Sequence, residues 1–445
     1  MKKNNFFDKN VLLRSQTAEE LYETISSLPI VDYHSHLDER EIADNKTFST
    51  ITEFWLKRDH YKWRAMRMCG VEEKYITGDA GDYEKFLAYA TIMPKLIGNP
   101  LYYWTHMELK RIFGIASPLN AQSAPTIYAK ANEILKTLTV SRLLKQFNVE
   151  YIATTDDPTS ELNFHGTYNG VKVCPTFRAD RALKIDDEYL KKMCEVCGSP
   201  IVTLKDYQQA LESRLKYFIS KGCTIADVSV ECIPESFVSE EEAESLFAKR
   251  GELTTAEHHR FFSYGMAYLG ELFKRYDIVW QLHIGALRNI NALSYATLGM
   301  DAGYDVMRGH IDTDAIAQFL SFLHETGRLP KVILYALNVN AIPALCTIAG
   351  SFSDVQVGAA WWFNDTLKGV RSHLETLQEY SVFGTSLGML TDSRSFSSYC
   401  RFDFFRRILA DVVAEKINAG EYDEKCAKQL LMDICYNNPK KYINI

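Results

Sequence analysis

The sequence predicts a distorted (β/α)8 barrel of the TIM type, with a helical insertion after its first strand. From residue 150 onward, short β-branched runs alternate with helix-length segments, which is typical of a parallel sheet. With an apolar run that ends at His34, these runs number eight, enough to close a barrel. Several runs end in polar side chains, and such a barrel builds its active site at the carboxyl ends of its strands.

The eight predicted strands are short apolar stretches that end at turns or polar residues. They lie within residues 28–37, 151–155, 171–177, 224–230, 278–283, 331–337, 355–362 and 388–392. The segment from about 38 to 146 has helical spacing and is far longer than an ordinary connection between a strand and a helix. Because no Gly/Ser- or Pro-rich linker separates it, we expect an insertion over the barrel, and a single domain over 1–445.

The predicted helices are segments with amphipathic spacing of apolar residues. They cover residues 18–27, 51–56, 83–96, 100–113, 127–147, 240–249, 258–275, 313–325, 365–379, 402–415 and 425–436.

Composition excludes several classes of protein. No run approaches the ~20 apolar residues of a membrane helix, and the start, residues 1–8, has no apolar segment of a secretory signal. Ten scattered cysteines indicate reduced thiols and a cytoplasmic protein. A net charge of -7 gives no general attraction to nucleic acid or acidic lipid, so we expect neither partner.

A metal site is the first candidate for chemistry. His34 and His36 alternate at the end of the first strand, so both imidazoles point to one face and can bind one divalent ion. Asp392, which ends the last predicted strand, is the best third ligand, because closure of the barrel places that strand beside the first. The alternative is that Asp392 caps the following helix. His283 ends the fifth strand. Three interpretations of it stay open: a further metal ligand, a general acid/base, or a neutral core histidine.

One metal ion is favoured over two. Binuclear hydrolases of this architecture usually bridge two ions with a modified lysine on the fourth strand and use a histidine on the sixth. The fourth run, 224–230, has no lysine, and the sixth, 331–337, has no histidine.

Three arginines follow predicted strands: Arg178, Arg288 and Arg394. A guanidinium holds a carboxylate in a bidentate fork, so three at one rim indicate a substrate with a carboxylate, although any single one is more often a surface arginine. His60 and Tyr61 either reach the metal or simply begin a helix capped by Asp59.

Two tryptophans close the seventh predicted strand. Trp361 and Trp362 form either an apolar wall for a sugar ring or part of the core.

Eight motifs, in order from about residue 28 to the carboxyl terminus, closely resemble the uronate isomerase (glucuronate isomerase) family, a divergent branch of the amidohydrolase superfamily. They are Asp-Tyr-His-Ser-His-Leu (32–37), Asp-His-Tyr-Lys-Trp-Arg-Ala-Met-Arg (59–67), Asn-Pro-Leu-Tyr-Tyr-Trp-Thr-His-Met-Glu-Leu (99–109), Thr-Thr-Asp-Asp-Pro (154–158), Pro-Thr-Phe-Arg (175–178), His-Ile-Gly-Ala-Leu-Arg-Asn (283–289), Trp-Trp-Phe-Asn-Asp (361–365) and Leu-Thr-Asp-Ser-Arg-Ser-Phe (390–396). Two stretches, 289–291 and 402–405, depart from the expected pattern outside the candidate ligands, which bears on substrate preference more than on the chemistry.

The resemblance implies interconversion of D-glucuronate and D-fructuronate, and of D-galacturonate and D-tagaturonate. It also implies one zinc-type ion on His34, His36 and Asp392, with His60, Arg178 and Arg394 among the groups that contact a small hexuronate. We expect the ion to act as a Lewis acid while an enediol forms. We also expect the enzyme to be a homo-oligomer.

The proton carrier between C2 and C1 is left open. The candidates are His283, Tyr61 and Asp392. Two other functions also remain open, a mononuclear hydrolase of the same superfamily and a sugar-acid binding protein on a decayed barrel. A retained metal site argues against the second, because binding alone does not require a metal.

Overall fold

The computed structural model describes residues 6–445. The first five residues, part of the stretch for which the sequence predicts no secretory signal, lie outside the described part. Parallel strands alternate with helices, so the predicted α/β architecture is confirmed. The strands are β1 (Ile30–Asp32), β2 (Val149–Ala153), β3 (Gly166–Tyr168), β4 (Val171–Cys174), β5 (Phe177–Arg178), β6 (Ile225–Val230), β7 (Val279–Ile284), β8 (Ala286–Leu287), β9 (Val306–Met307), β10 (Val332–Ala336) and β11 (Val355–Val357).

Helices fill the remaining described chain. The α-helices are α1 (Gln16–Ile25), α2 (Glu39–Ala43), α3 (Ile51–Leu56), α4 (His60–Met68), α5 (Asp82–Ile92), α6 (Pro100–Phe113), α7 (Ala124–Leu135), α8 (Val140–Gln146), α9 (Asp187–Cys197), α10 (Leu204–Ser220), α11 (Glu240–Ala248), α12 (Thr255–Arg275), α13 (Ala292–Leu298), α14 (Thr313–Glu325), α15 (Ile342–Ala349), α16 (Leu367–Tyr380), α17 (Cys400–Asn418), α18 (Glu424–Met432) and α19 (Asn438–Tyr442). Short 3₁₀ turns lie at Glu73–Tyr75, Met93–Leu96, Arg250–Glu252, Val339–Ala341, Trp362–Asn364, Phe383–Thr385 and Phe396–Tyr399, and a π-helical turn at Asp433–Asn437.

The parallel strands pair in chain order. One sheet has the order β1-β2-β4-β3 and the other β11-β10-β7-β6-β5. An isolated parallel bridge between Asp156 and Phe177 joins them. Only β3 with β4, and β8 with β9, pair antiparallel among the described strands. This order brings the carboxyl ends of the parallel strands to one side of the molecule.

The predicted eighth strand, 388–392, is not a regular strand, and that prediction is wrong. Its backbone departs from extended geometry at Gly388 (φ +68°) and Asp392 (φ 44°). The segment still lies beside the chain that follows β1, because the Asp392 amide donates to the His34 carbonyl at 3.0 Å. In the described part of the chain no strand pairing joins it to β11, so the strand hydrogen bonds form no complete ring.

Other element boundaries also differ from the sequence-based expectations. The third predicted run divides into β4 and β5, which pair with different neighbours, and the seventh run leaves strand geometry after Val357. The predicted helix 127–147 is two helices, since Thr139 caps α8 by accepting a hydrogen bond from the Arg142 amide at 3.3 Å. Helices α9 and α10 are amphipathic but are not among the predicted helices.

The segment between β1 and β2 contains α2 to α8, in agreement with the predicted helical insertion. The large buried side chains Trp55, Phe86, Tyr89 and Trp104 fill its interior. No helix among residues 6–445 combines the length and apolar character that a bilayer span requires.

A small second core cluster lies against the strands. Its members come from nearly every parallel strand and from the 387–390 stretch, namely Val31, Tyr33, Tyr151, Ala153, Cys174, Ile225, Val279, Ile333, Tyr335, Leu337, Trp361, Leu387 and Leu390 among others. Side chains alternate along a strand, so these residues share the inner face of the sheets. The cluster therefore forms an apolar layer on that face, which extends to the residues that follow the strands.

Helix α16 is tied to the chain that follows β11. The Nε2 atom of buried His373 lies 2.8 Å from the Gly358 carbonyl oxygen. Burial lowers the pKa of His373 to about 4, and the hydrogen bond to the carbonyl opposes that effect only in part. The neutral imidazole is therefore the form that the native packing favours.

We predict that the Gly388→Ala substitution will lower the free energy of unfolding far more than Gly114→Ala. Both glycines have a left-handed backbone (φ +68° and +63°), which costs an alanine about 1 kcal/mol. A Cβ at Gly388 would meet the Ile434 carbonyl oxygen at 2.4 Å, whereas one at Gly114 would meet nothing within 4 Å. Overpacking of this kind adds roughly 1–3 kcal/mol. Urea denaturation measures both variants, and equal losses would contradict the close approach of Ile434 to Gly388.

We predict that His373→Gln will flatten the dependence of stability on pH. The pKa of His373 is about 4 in the native state and near its ordinary 6.5 in the unfolded chain. The unfolded state therefore binds more protons between these values, and wild-type stability falls as pH falls through that window. Unfolding free energies at about pH 7.5 and about pH 5 should differ less for the variant than for the wild type. An exposed control, His324→Gln, should behave as the wild type does; identical pH dependence in all three would rule the assignment out.

Candidate functional site

The structure brings the three predicted metal ligands together. His34 and His36 follow β1 on alternate positions, and their Nε2 atoms lie 3.2 and 3.1 Å from Oδ1 of Asp392. Two imidazole nitrogens and one carboxylate oxygen that converge in this way match the donor set of a catalytic zinc site, which keeps a further position open. The residues present therefore fit a divalent metal ion.

The electrostatics of this triad are set by burial and mutual contact. Burial alone would raise the pKa of Asp392, but the hydrogen bonds with His34 and His36 hold it well below its usual range. Burial lowers the pKa of His36 to about 3. Burial would also lower the pKa of His34, but its hydrogen bond with Asp392 outweighs burial and raises that pKa instead. The ionised carboxylate and the neutral His36 imidazole present lone pairs, which metal ligation requires, and His34 must give up its proton when a metal ion binds.

His283 lies against the same triad. It is the penultimate residue of β7. Its ring is centred 4.6 Å from that of His34 and stacks on the Tyr335 ring at 4.5 Å. Its Nε2 atom is buried with no hydrogen-bond partner in the described structure, and burial lowers the pKa of His283 well below 6.5. His283 is therefore a neutral imidazole with an unused nitrogen that is available to a metal or a substrate.

Asp227 is a site residue that sequence reasoning missed. It is fully buried on β6, and its carboxylate lies 3.9 Å from Nδ1 of His283 and 3.2 Å from Nη1 of Arg178. One atom each from His34, Asp227 and His283 lie within 4.8 Å of one another, as in the first triad. The signal was present, since an aspartate inside the apolar run 224–230 is unusual in a buried strand.

Hydrogen bonds from neighbouring side chains hold Asp392 and the residue before it in place. Its backbone is in the left-handed region (φ 44°), which non-glycine residues seldom adopt without support. The buried Asp32 carboxylate accepts hydrogen bonds from the Thr391 amide at 2.9 Å and the Thr391 hydroxyl at 2.6 Å. The Trp361 indole donates to Oδ2 of Asp392 at 2.7 Å, leaving Oδ1 to the histidines.

The two tryptophans of the seventh run are both buried, with 4% exposure for Trp361 and 6% for Trp362. Trp361 serves Asp392 through its indole N–H, and Trp362 lies under the Arg288 guanidinium at 5.0 Å. This burial agrees with the core interpretation of the pair, and contact of Trp361 with a sugar ring stays a prediction.

The three rim arginines already carry carboxylate partners within the protein. Nη1 of Arg178 lies 3.2 Å from Asp227, and its Nε lies 2.9 Å from Asp180. Arg288 pairs with Asp305 at 2.8 Å, and Arg394 pairs with Asp301 at 2.9 Å. Each pairing uses part of the guanidinium, which has five N–H donors, so further donors remain for a ligand.

His60 and Tyr61 begin α4, and Asp59 caps the helix by accepting a hydrogen bond from the Lys62 amide at 3.1 Å. The helix-start interpretation is therefore correct, and it places both side chains at the site as well. Nδ1 of His60 lies 3.2 Å from Nη1 of Arg394. The Tyr61 hydroxyl donates to Asp365 at 3.3 Å.

Two further residues beside Tyr61 were missed by sequence reasoning. Asp365 ends the Trp-Trp-Phe-Asn-Asp motif, and Arg401 lies on the first turn of α17, with its guanidinium 5.0 Å from the centre of the Tyr61 ring. Asp365 closes a strand-like run in the way that His283 does, which was a usable signal. Arg401 lies in a closing helix, where nothing in the sequence distinguished it from other arginines.

Comparison with known proteins places this geometry in a family. The family model described as glucuronate isomerase matches residues 2–443. The uronate isomerase of Caldicellulosiruptor bescii is 44% identical over 98% of this chain and 99% of its own length. That of Oceanobacillus iheyensis is 43% identical over 99% of this chain and 98% of its own.

Solved structures agree. The crystal structure of uronate isomerase from Thermotoga maritima superposes with a TM-score of 0.95 at 36% identity, covering 99% of this chain and 100% of the other. A putative metal-dependent hydrolase from Lactobacillus casei, 14% identical, reaches a TM-score of 0.57 over 95% of this chain and 97% of its own, which shows a shared fold.

We predict that Trp361→Phe will weaken binding of Zn²⁺ by about 10-fold or more, because loss of a hydrogen bond to a ligand typically costs 10–100-fold in metal affinity. The matched control is Trp362→Phe, since the indole N–H of Trp362 is buried without a partner in the described structure. Competition with a chromophoric chelator measures both affinities. Equal affinities for the two variants would remove Trp361 from the support of Asp392.

Proposed function

The chain belongs to the glucuronate isomerase family and is an isomerase of uronates, and from this premise we propose how its residues carry out the reaction. The proposed conversions are D-glucuronate to D-fructuronate and D-galacturonate to D-tagaturonate, in both directions. The enzyme is then an intramolecular oxidoreductase that exchanges an aldose for a ketose. The observation that carries the proposal is the convergence of His34, His36 and Asp392 beside a rim of arginines.

The proposed cofactor is one divalent ion, of the zinc type, on His34, His36 and Asp392. When bound, such an ion supplies Lewis-acid stabilisation of negative charge on an oxygen at C1 or C2 of the open-chain sugar. The ionised state of Asp392 and the neutral state of His36 support this assignment.

The proposed substrate contacts are Arg178, Arg288, Arg394 and His60. Arg178 and Arg394 are the candidates to grip the substrate carboxylate, because each keeps donors beyond those used by its internal aspartates. His60 lies beside Arg394 and orients with it. Trp361 is also proposed as a substrate contact, because its ring is centred 4.6 Å from that of His283 and its indole N–H binds Asp392.

The isomerisation moves two protons within the sugar. The proton on C2 moves to C1, and the proton on the C2 hydroxyl is lost as one is gained by the C1 oxygen, so the reaction balances with no external oxidant or reductant. The candidate carriers remain His283, Tyr61 and Asp392, and a well-placed carrier contributes about 10²–10⁴-fold. Tyr61 differs from the other two because it lies outside the groups that converge on the metal position.

The setting of the enzyme completes the proposal. All ten cysteines are free of disulfides, which supports a reducing, cytoplasmic location.

The proposed partner is a small hexuronate. A homo-oligomeric assembly is also proposed, and the exposed apolar side chains of Leu293 (85%) and Met300 (72%) offer surface for it. Family membership favours the isomerase over the hydrolase that the sequence left open.

We predict that Asp392→Asn will lose both bound metal and uronate turnover. The substitution removes the negative charge that faces His34 and His36 while keeping the shape of the side chain. Turnover of D-glucuronate should fall by about 10²-fold or more, in line with removal of a group that acts directly on the reacting centre.

Elemental analysis and a uronate assay measure these losses. The control is Asp79→Asn on the exposed surface, which should match the wild type in both. Near-normal metal content and turnover in Asp392→Asn would remove this residue from the ligand and carrier roles together.

A further inference from the structure

The Tyr61 phenol faces a buried carboxylate that the reaction proposed above does not use. Its hydroxyl donates to Oδ2 of Asp365 at 3.3 Å, and Asp365 is only 4% exposed. The two residues come from distant parts of the chain, Tyr61 from the first turn of α4 and Asp365 from the turn before α16. A carboxylate in direct contact with a phenol is positioned to take the phenolic proton.

Asp365 is only loosely neutralised. Nη1 of Arg401 lies 3.5 Å from its Oδ2, a long contact for an ion pair, and the same nitrogen lies 3.2 Å from the Thr391 carbonyl oxygen. The Arg401 guanidinium also lies over the rings of Trp104 at 4.1 Å and Tyr61 at 5.0 Å. Its charge is therefore shared among several groups rather than committed to Asp365.

The second oxygen of Asp365 is also uncommitted. Oδ1 is buried and has no hydrogen-bond partner in the described structure. A structural aspartate is normally satisfied on both oxygens when it is buried, because an unpaired polar atom costs free energy. With Oδ1 unpaired, the carboxyl group can change its protonation state without breaking a hydrogen bond at that oxygen.

The charged environment acts on both partners. Burial and the negative charge of Asp365 raise the pKa of Tyr61 well above its ordinary value, so the phenol gives up its proton only as it receives another. Burial raises the pKa of Asp365 to about 7, Arg401 from α17 opposes this rise, and the negative charge of Asp392 adds to it. The charged and titratable groups that act on Asp365 are thus Tyr61, Arg401 and Asp392. A carboxyl group with a pKa near 7 exchanges its proton readily at neutral pH.

We propose that Asp365 is the proton acceptor for Tyr61, so that the two side chains act as one carrier. As the Tyr61 oxygen takes the proton from C2 of the uronate, the phenolic proton passes to Asp365; as Tyr61 gives a proton to C1, Asp365 returns its proton to the phenol oxygen. The C2–H bond breaks, the C1–H bond forms, and both side chains end as they began. Asp365 acts through Tyr61 and is therefore a positioning residue, and the inference rests on the proposed function.

A structural function for Asp365 makes different predictions. If the carboxylate serves only to balance Arg401, its loss lowers stability and leaves the rate per folded, metal-loaded enzyme unchanged. If it accepts the proton of Tyr61, its loss lowers kcat with little change in KM, and the break of the C2–H bond becomes more fully rate-limiting.

The experiment compares the metal-loaded wild type with Asp365→Asn, Tyr61→Phe and the double variant, using D-glucuronate with hydrogen or deuterium at C2. We expect Asp365→Asn to lower kcat by about 10²-fold or more, with KM within about 3-fold and a larger isotope effect than the wild type. We expect the double variant to match Tyr61→Phe, because residues that act as one unit are not additive. Metal content and thermal denaturation accompany each measurement.

Wild-type kcat in Asp365→Asn, or losses that multiply in the double variant, would overturn the inference. If Asp365→Asn does not fold, Asp365→Glu keeps the charge beside Arg401 and replaces it in the design; we expect reduced kcat and an enlarged isotope effect, and an unchanged rate again overturns the inference. Absence of uronate turnover in the metal-loaded wild type removes the proposed function itself, which separates the two failures.

Discussion

The contact between the Asp392 carboxylate and the imidazoles of His34 and His36 is the constraint on which the site depends. It joins the first and last strand positions of the sheet, more than 350 residues apart in sequence. The last position has no regular strand pairing to fix it, and Asp392 itself has a left-handed backbone. Two backbone hydrogen bonds, from the Asp392 amide to the His34 carbonyl and from the His36 amide to the Ser393 carbonyl, hold it beside the chain that follows β1. Side chains add to them, through the Asp32 contacts with Thr391 and the indole of Trp361. Backbone and side-chain hydrogen bonds together therefore fix one geometry for the carboxylate.

The helical insertion completes the site from above. Helix α4 brings His60 and Tyr61, and α17, at the other end of the chain, brings Arg401 against the Tyr61 ring. These side chains rest on buried charges, since the Lys62 ammonium lies 2.7 Å from Asp59 and 4.0 Å from Glu108. Buried charges are costly to leave unpaired, so such a network favours one arrangement of α4 over others. The packing of the insertion therefore also fixes the positions of His60 and Tyr61 at the site.

Sequence reasoning reached the parts of this structure that depend on local pattern. The limits of α3, α6 and α14 follow from apolar periodicity and capping, and His34 and His36 follow from strand alternation. It did not reach features that depend on tertiary contacts. The irregular 388–392 segment has strand-like composition, and only the position of Ile434 and Asp32 around it shows why extended geometry fails there. Asp227 and Asp365 stood at positions that the sequence marked as unusual, but their partners Arg178 and Tyr61 lie on other elements, so their roles could not be assigned.

The aspartates that accompany the rim arginines have a consequence for selectivity. Arg178, Arg288 and Arg394 each meet an internal carboxylate, so the mouth of the site has little uncompensated positive potential in the resting protein. A small inorganic anion interacts with such a surface through its charge alone, and the aspartates already neutralise the arginines that it would bind. Under the proposed substrate contacts, a sugar acid shares the guanidinium groups with the internal aspartates, and its hydroxyl groups add further hydrogen bonds at fixed spacing. Discrimination then depends on shape and on several simultaneous short-range contacts, and the overall negative charge of the chain becomes compatible with an anionic metabolite.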